Sequence, residues 1–99
     1  MATFQAIFVP GKITKVTGLA ATTSSAEILM AKDTKFAIIA TGAINIAFGN
    51  TGMGAADASG WFIPANTTDE FDLGNAYSAI RVFNSTASSI DVYVLVLSN

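Results

Sequence analysis

The β-branched and aromatic residues of this chain fall in short runs at regular intervals, and each run is broken by Gly, Asn, Ser, Thr, Asp or Pro. That spacing is the signature of a sandwich or barrel built from short strands. The runs predict strands at Phe4–Val9, ended by the turn pair Pro10-Gly11, then Ile13–Leu19, Glu27–Ala31 and Lys35–Thr41. Gly42 is read as a hairpin turn into Ala43–Phe48, and a loop over 49–60 follows. Trp61–Ile63, Glu70–Leu73, Ala79–Phe83 and Ile90–Leu97 complete the set. The fold class is therefore all-β: one antiparallel, jelly-roll-like β-sandwich of about eight strands with little or no helix, occupying residues 1–99 as a single domain.

One helical signal competes. Ser24-Ser-Ala-Glu27 fits a capping box, but the apolar run behind it is a single turn long, too short to hold as a helix. The uncharged stretch Phe36–Ala56 is long enough to span a bilayer. Its glycines and the alternation of Ile44, Ile46 and Phe48 with Ala43, Asn45 and Ala47 read as strands instead.

Two strands are apolar on both sides. In the last, Ile90, Val92, Val94 and Val96 line one face and Tyr93, Leu95 and Leu97 the other; in the first, Phe4, Ala6 and Phe8 alternate with Ile7 and Val9. A two-layer sandwich gives each strand one buried face, so the second face of these strands calls for a partner. The strand Phe4–Val9 is a candidate for exchange between subunits.

Composition points the same way. Charged residues are 12% of the chain, about half the usual share of a soluble domain, so Ser, Thr, Asn, Gly, Ala or other protein must cover its surface. Five basic residues and a net charge of −2 leave no basic groove for nucleic acid. Residues 1–49 hold Lys12, Lys15, Lys32 and Lys35 against Glu27 and Asp33, and residues 50–99 hold Arg81 against Asp57, Asp69, Glu70, Asp72 and Asp91. That asymmetry either favours head-to-tail contact between copies or reflects solvated loops. The opening Met1-Ala-Thr-Phe-Gln5 lacks the basic and apolar regions of a secretory leader.

With no His and no Cys, the commonest general base, imidazole and thiolate metal ligands, thiolate nucleophiles and disulfides are all ruled out. Glu70 and Asp72 share a strand face at about 7 Å, yet alternating acids on an exposed strand are usually solvated or keep an edge from pairing. The Asp69-Glu70-Phe71-Asp72 cluster with Asp57 lacks the ligand spacing of a calcium loop. Gly52-Met-Gly54-Ala-Ala-Asp57 is a residue short of a phosphate-binding fingerprint, has no helix after it, and reads as a flexible turn. Asn66-Thr-Thr and Asn84-Ser-Thr match the glycosylation sequon but suit turns. Trp61, Phe62 and Tyr77 are either core, a contact between subunits, or a platform for a sugar. No catalytic residue, cofactor site or metal site is expected.

Several segments in order resemble a family of small β-sandwich virion proteins of tailed bacteriophages, the capsid decoration or cement proteins. They are Lys12-Ile-Thr-Lys-Val-Thr, Phe36-Ala-Ile-Ile-Ala-Thr-Gly-Ala-Ile-Asn-Ile-Ala-Phe-Gly, Gly60-Trp-Phe-Ile-Pro-Ala-Asn, Asp69-Glu-Phe-Asp-Leu, Ala79-Ile-Arg-Val-Phe-Asn and Ile90-Asp-Val-Tyr-Val. The resemblance implies a non-enzymatic structural protein of the virion, assembled in the host cytoplasm. It also implies a homo-oligomer, with a trimer favoured, that binds the major capsid or another virion protein and neither nucleic acid nor membrane. The alternative is a ligand- or glycan-binding module of a phage fibre or tail appendage. Expected interface residues are Phe4, Ile7, Phe8, Val9, Trp61, Phe62, Tyr93, Leu95 and Leu97.

Overall fold

The computed structural model describes residues 12–98, so Phe4, Ile7, Phe8 and Val9 lie outside the described residues. The strands are β1 (Lys12–Leu19), β2 (Ile28–Leu29), β3 (Lys35–Ala40), β4 (Ile44–Gly49), β5 (Trp61–Ile63), β6 (Asp69–Asp72), β7 (Ala79–Asn84) and β8 (Ile90–Ser98). They form two four-stranded antiparallel sheets, β1-β8-β3-β6 and β2-β7-β4-β5. No helix occurs among the described residues, as the sequence predicts. The partnerships are β1 with β8, β2 with β7, β3 with β6 and β4 with β5, with β3·β8 and β4·β7 completing the sheets. One long antiparallel ribbon has thus rolled up on itself into two sheets.

The wind corrects one expectation. β3 and β4 are not a hairpin, because they belong to different sheets and the chain changes layer at Thr41-Gly42-Ala43. A Cβ on Gly42 would meet Ile90 Cγ2 at 2.5 Å and Thr86 Cγ2 at 3.1 Å. The corner is close because the backbone there packs directly against the neighbouring strand and loop, which leaves room for hydrogen alone. β4 and β5 are the only consecutive described strands that pair.

Period-two alternation sends one set of side chains from each sheet into the shared core. Phe36, Ile38 and Ala40 from β3, Ile44 and Ile46 from β4, Ile80 and Val82 from β7 and Val92 and Val94 from β8 are all essentially inaccessible. At one end of this core Phe71 sits between Phe36, tilted at 5.6 Å, and Phe48, edge-on at 5.2 Å, and Tyr77 extends the cluster from Phe48 at 5.9 Å. Each fully buried Ile or Phe contributes about 1.5–3 kcal/mol of transfer free energy.

The expected strand over Glu27–Ala31 shrinks to Ile28–Leu29. Ahead of it the Ser25 hydroxyl accepts the Val82 N–H at 3.0 Å, substituting a side chain for a ladder carbonyl. Behind it Thr34 closes a turn on the Ala31 carbonyl with its N–H and its hydroxyl, and Asp33 takes φ 64°. Glu27 caps no helix. Its carboxylate accepts the N–H groups of Gly52 and Met53 at 2.6 and 3.0 Å.

Candidate functional site

The outer faces of the two sheets differ, and that difference locates the site. Over the β2-β7-β4-β5 sheet runs the loop 50–60. Asn45, which points away from the core between Ile44 and Ile46, donates through Nδ2 to the carbonyls of Ala58 and Gly60 at 3.4 and 3.0 Å. Arg81 reaches the Met53 carbonyl at 3.3 Å, and the Ser24 hydroxyl accepts the Ala56 N–H at 2.9 Å. With Glu27 holding residues 52 and 53, the loop is tied at both ends. The glycines of Gly52–Asp57 predict a flexible turn, but the segment is anchored by residues remote in sequence. It buries Ala56 and Asn45 and leaves the Arg81 Nε buried without a partner.

Nothing among the described residues covers the β1-β8-β3-β6 sheet in this way. The register sets two rows of outward side chains across it. Ile13, Leu95 and Ala37 lie side by side and lead to Glu70; Lys15, Tyr93 and Ile39 form the next row. Ile13 is 64% exposed, and the Lys15 ammonium sits 5.2 Å from the centre of the Tyr93 ring, where the ring quadrupole favours a cation. An open groove of about 320 Å³ runs between these side chains and Thr68. Next to it, about 390 Å³ of open space is lined by Leu97 and Ser98 with Lys35, Glu70 and Asp72. The face therefore has an apolar centre and a charged margin, the anatomy of a protein–protein contact.

Of the expected interface residues, Tyr93, Leu95 and Leu97 fall on this face, half-buried within their own chain. Trp61 and Phe62 do not join them. They sit on β5 at the edge of the other sheet, 62% and 55% exposed. Trp61 lies opposite Ile46 and Phe62 opposite Asn45, so the two rings leave opposite faces of one strand, and Tyr77 belongs to the Phe48 cluster. The three aromatics make no common stacking platform. Ile13, Ala37, Ile39 and Thr68 were not singled out from sequence, because only the cross-strand register places them beside Leu95 and Tyr93.

The acidic cluster is divided too. Asp69 faces the same side as Ile38, whereas Glu70 and Asp72 alternate to the outer side. Asp57 lies in the other sheet's loop, where the Ser59 hydroxyl and N–H hold its exposed carboxyl below its ordinary value. The charge difference between the chain's halves does not become a polarity along the molecule. A rolled ribbon lays each first-half strand beside a second-half one, as where Lys35 faces Asp72.

Asn84, whose sequon suits a turn, ends β7 and is fully buried. Its amide donates to the carbonyls of Leu19, Ala20 and Ser88 at 2.9, 3.1 and 2.7 Å, and its Oδ1 accepts from the Thr86 N–H and hydroxyl. A group bound on every side is closed to glycosylation in the folded chain.

No family model matches the chain, and no curated protein matches it in sequence. Among solved structures it is similar to a de novo designed double-stranded β-helix (TM-score 0.60, 19% identity, 86% of this chain and 97% of that one). It is likewise similar to the SPBc2 prophage-derived protein YomS (TM-score 0.59, 16% identity, 91% of this chain and 96% of that one). A protein of the disulfide-linked pili of Bacillus endospore appendages matches more loosely (TM-score 0.47, 13% identity, 93% of this chain and 89% of that one). The first shows the double-stranded β-helix fold, and since a designed chain adopts it, fold alone assigns no activity.

Proposed function

We propose that this chain is a structural protein of a phage-related particle, without catalytic activity, that works by assembling with copies of itself and seating on a larger protein surface, as capsid decoration proteins do. The carrying observation is the outer face of the β1-β8-β3-β6 sheet, which the described residues leave without a covering loop, with Ile13 exposed and Ala37, Ile39, Tyr93 and Leu95 half-buried around an apolar groove, whereas the loop 50–60 lies over part of the sister sheet. A chain with 12% charged residues has little else with which to solvate such a patch. Lys15 on β1 and the acids Glu70 and Asp72 on β6 put opposite charges at opposite edges of the face, which orients an approaching copy. Fold likeness to a prophage-derived protein supports the particle context, and the family resemblance favours a trimer. Light scattering tests the reading: at tens of micromolar the chain should weigh a multiple of 10.2 kDa. A mass of one chain at every concentration overturns it.

A further inference from the structure

With no cysteine in the chain, reversible sulfur chemistry is left to its three methionines. Met30 packs against the core, whereas Met53 is half-buried in the loop 50–60, and much of that loop's fastening converges on this one residue. The Met53 N–H is shared between the Asn50 carbonyl at 2.9 Å and the Glu27 carboxylate at 3.0 Å, and its carbonyl accepts from Arg81 at 3.3 Å. Its side chain folds back on the strand that the loop leaves: a Cβ on Gly49 would meet Met53 Cβ at 3.0 Å and its Cε and Sδ each at 3.2 Å. The thioether therefore sits in the space that glycine leaves empty at the end of β4. The closed loop also carries a cost. Beneath it the Arg81 Nε is buried with no hydrogen-bond partner among the described residues, a penalty that contact with water would relieve.

We propose that Met53 is a redox-sensitive latch: oxidation of its thioether by a peroxide releases the loop 50–60 and bares the outer face of the β2-β7-β4-β5 sheet around Asn45 and Arg81. The reaction is a two-electron oxygen transfer. A lone pair on Sδ attacks one oxygen of hydrogen peroxide, the O–O bond breaks as the S–O bond forms, and after proton transfer the second oxygen leaves as water. Sulfur is oxidised, peroxide is reduced, and no further reactant is needed. The product is polar and chiral and carries an extra atom on a sulfur already packed against the Gly49 backbone. It does not fit the seat that a flexible, apolar thioether fills. The Met53 backbone moves with its side chain, so Glu27 loses a donor and Arg81 its acceptor. Arg81 Nε then meets water, which favours the released loop. The latch acts on the sheet opposite the apolar groove and does not depend on self-assembly.

Peptide mass spectrometry and amide exchange on the full chain treated with hydrogen peroxide test the latch. Met53 should gain one oxygen. In step with that gain, protection of the Gly52, Met53 and Ala56 amides, which Glu27 and Ser24 hold, should fall about tenfold or more while β3 and β8 keep theirs. Methionine sulfoxide reductase should restore both the mass and the protection. Met53→Leu keeps an apolar side chain of similar volume without sulfur, so its loop should stay protected in peroxide. Met53→Gln, polar from the start, should show the unprotected loop with no peroxide added. Oxidised Met53 under a loop that is still protected overturns the proposal, as does loss of loop protection in peroxide-treated Met53→Leu. An equal loss in β3 and β8 overturns it too, because the sulfur would then support the whole domain, and so does a Met53 that peroxide leaves unmodified.

Discussion

Asn84 concentrates more of the fold's polar accounting than any other described side chain, since it satisfies carbonyls at the end of β1, in the turn after it and in the loop before β8. Replacing it by Ala leaves those buried groups without donors, at about 1–3 kcal/mol for each that water cannot reach. Asn84→Ala should therefore lower stability by about 3 kcal/mol, read as a reduced urea midpoint with an unchanged slope. An unaltered midpoint would show that water replaces the amide. Gly60 is constrained differently: an added Cβ would meet the Ile46 carbonyl oxygen at 2.6 Å and its carbon at 3.0 Å. Both are backbone atoms and cannot swing aside, so Gly60→Ala should cost about 1–3 kcal/mol, a range typical of overpacking. Sequence hid both roles. Asn-Ser-Thr and Ser-Gly are ordinary turn signals, and only the folded neighbours make one a buried hub and the other a close approach.

At the scale of elements, strand positions were legible and strand partners were not. Alternation marks β3 and most of β7 and β8, which bury every second residue, and it shows directly that Tyr93 and Leu95 form a second face; in β4 the sequence alternates too, but the loop 50–60 buries Asn45 as well. Partnership is set by the rolled topology, in which Lys12 pairs with Val96 and Ile28 with Ile80, and no local signal encodes separations of that size. The hairpin expected at Gly42 failed for this reason, since neighbours in sequence usually pair and here they change layer. In β1 the register shifts between Val16 and Leu19, where Gly18 takes φ 66° and donates its N–H to Asp91 Oδ1 at 2.9 Å. That is a bulge closed by a carboxylate from the next strand. The loop 50–60 yields a prediction at this scale. Glu27→Ala removes the acceptor for two backbone N–H groups, so exchange protection at Gly52 and Met53 should fall about tenfold or more, while core amides of β3 and β8 keep theirs. Equal loss throughout would mean that Glu27 supports the whole domain and not the loop alone.

For the whole molecule, the rolled ribbon places nearly all pairing between distant parts of the chain, and folds of that kind gain their contacts late. Refolding from denaturant should take milliseconds to seconds, without a microsecond phase that completes the structure. The same topology interleaves the two halves, which is why a charge difference plain in the sequence gives no polar axis. What survives from residue to molecule is the contrast between a sheet whose outer face is partly covered by the loop 50–60 and one that the described residues leave without such a cover. The most direct measurement is the mass of the unaltered chain by light scattering across a concentration series, set beside that of Ile13→Asp. Self-assembly through the uncovered face gives a multiple of 10.2 kDa for the first and a single folded chain for the second. A single-chain mass for both, or the same multimer for both, would contradict it.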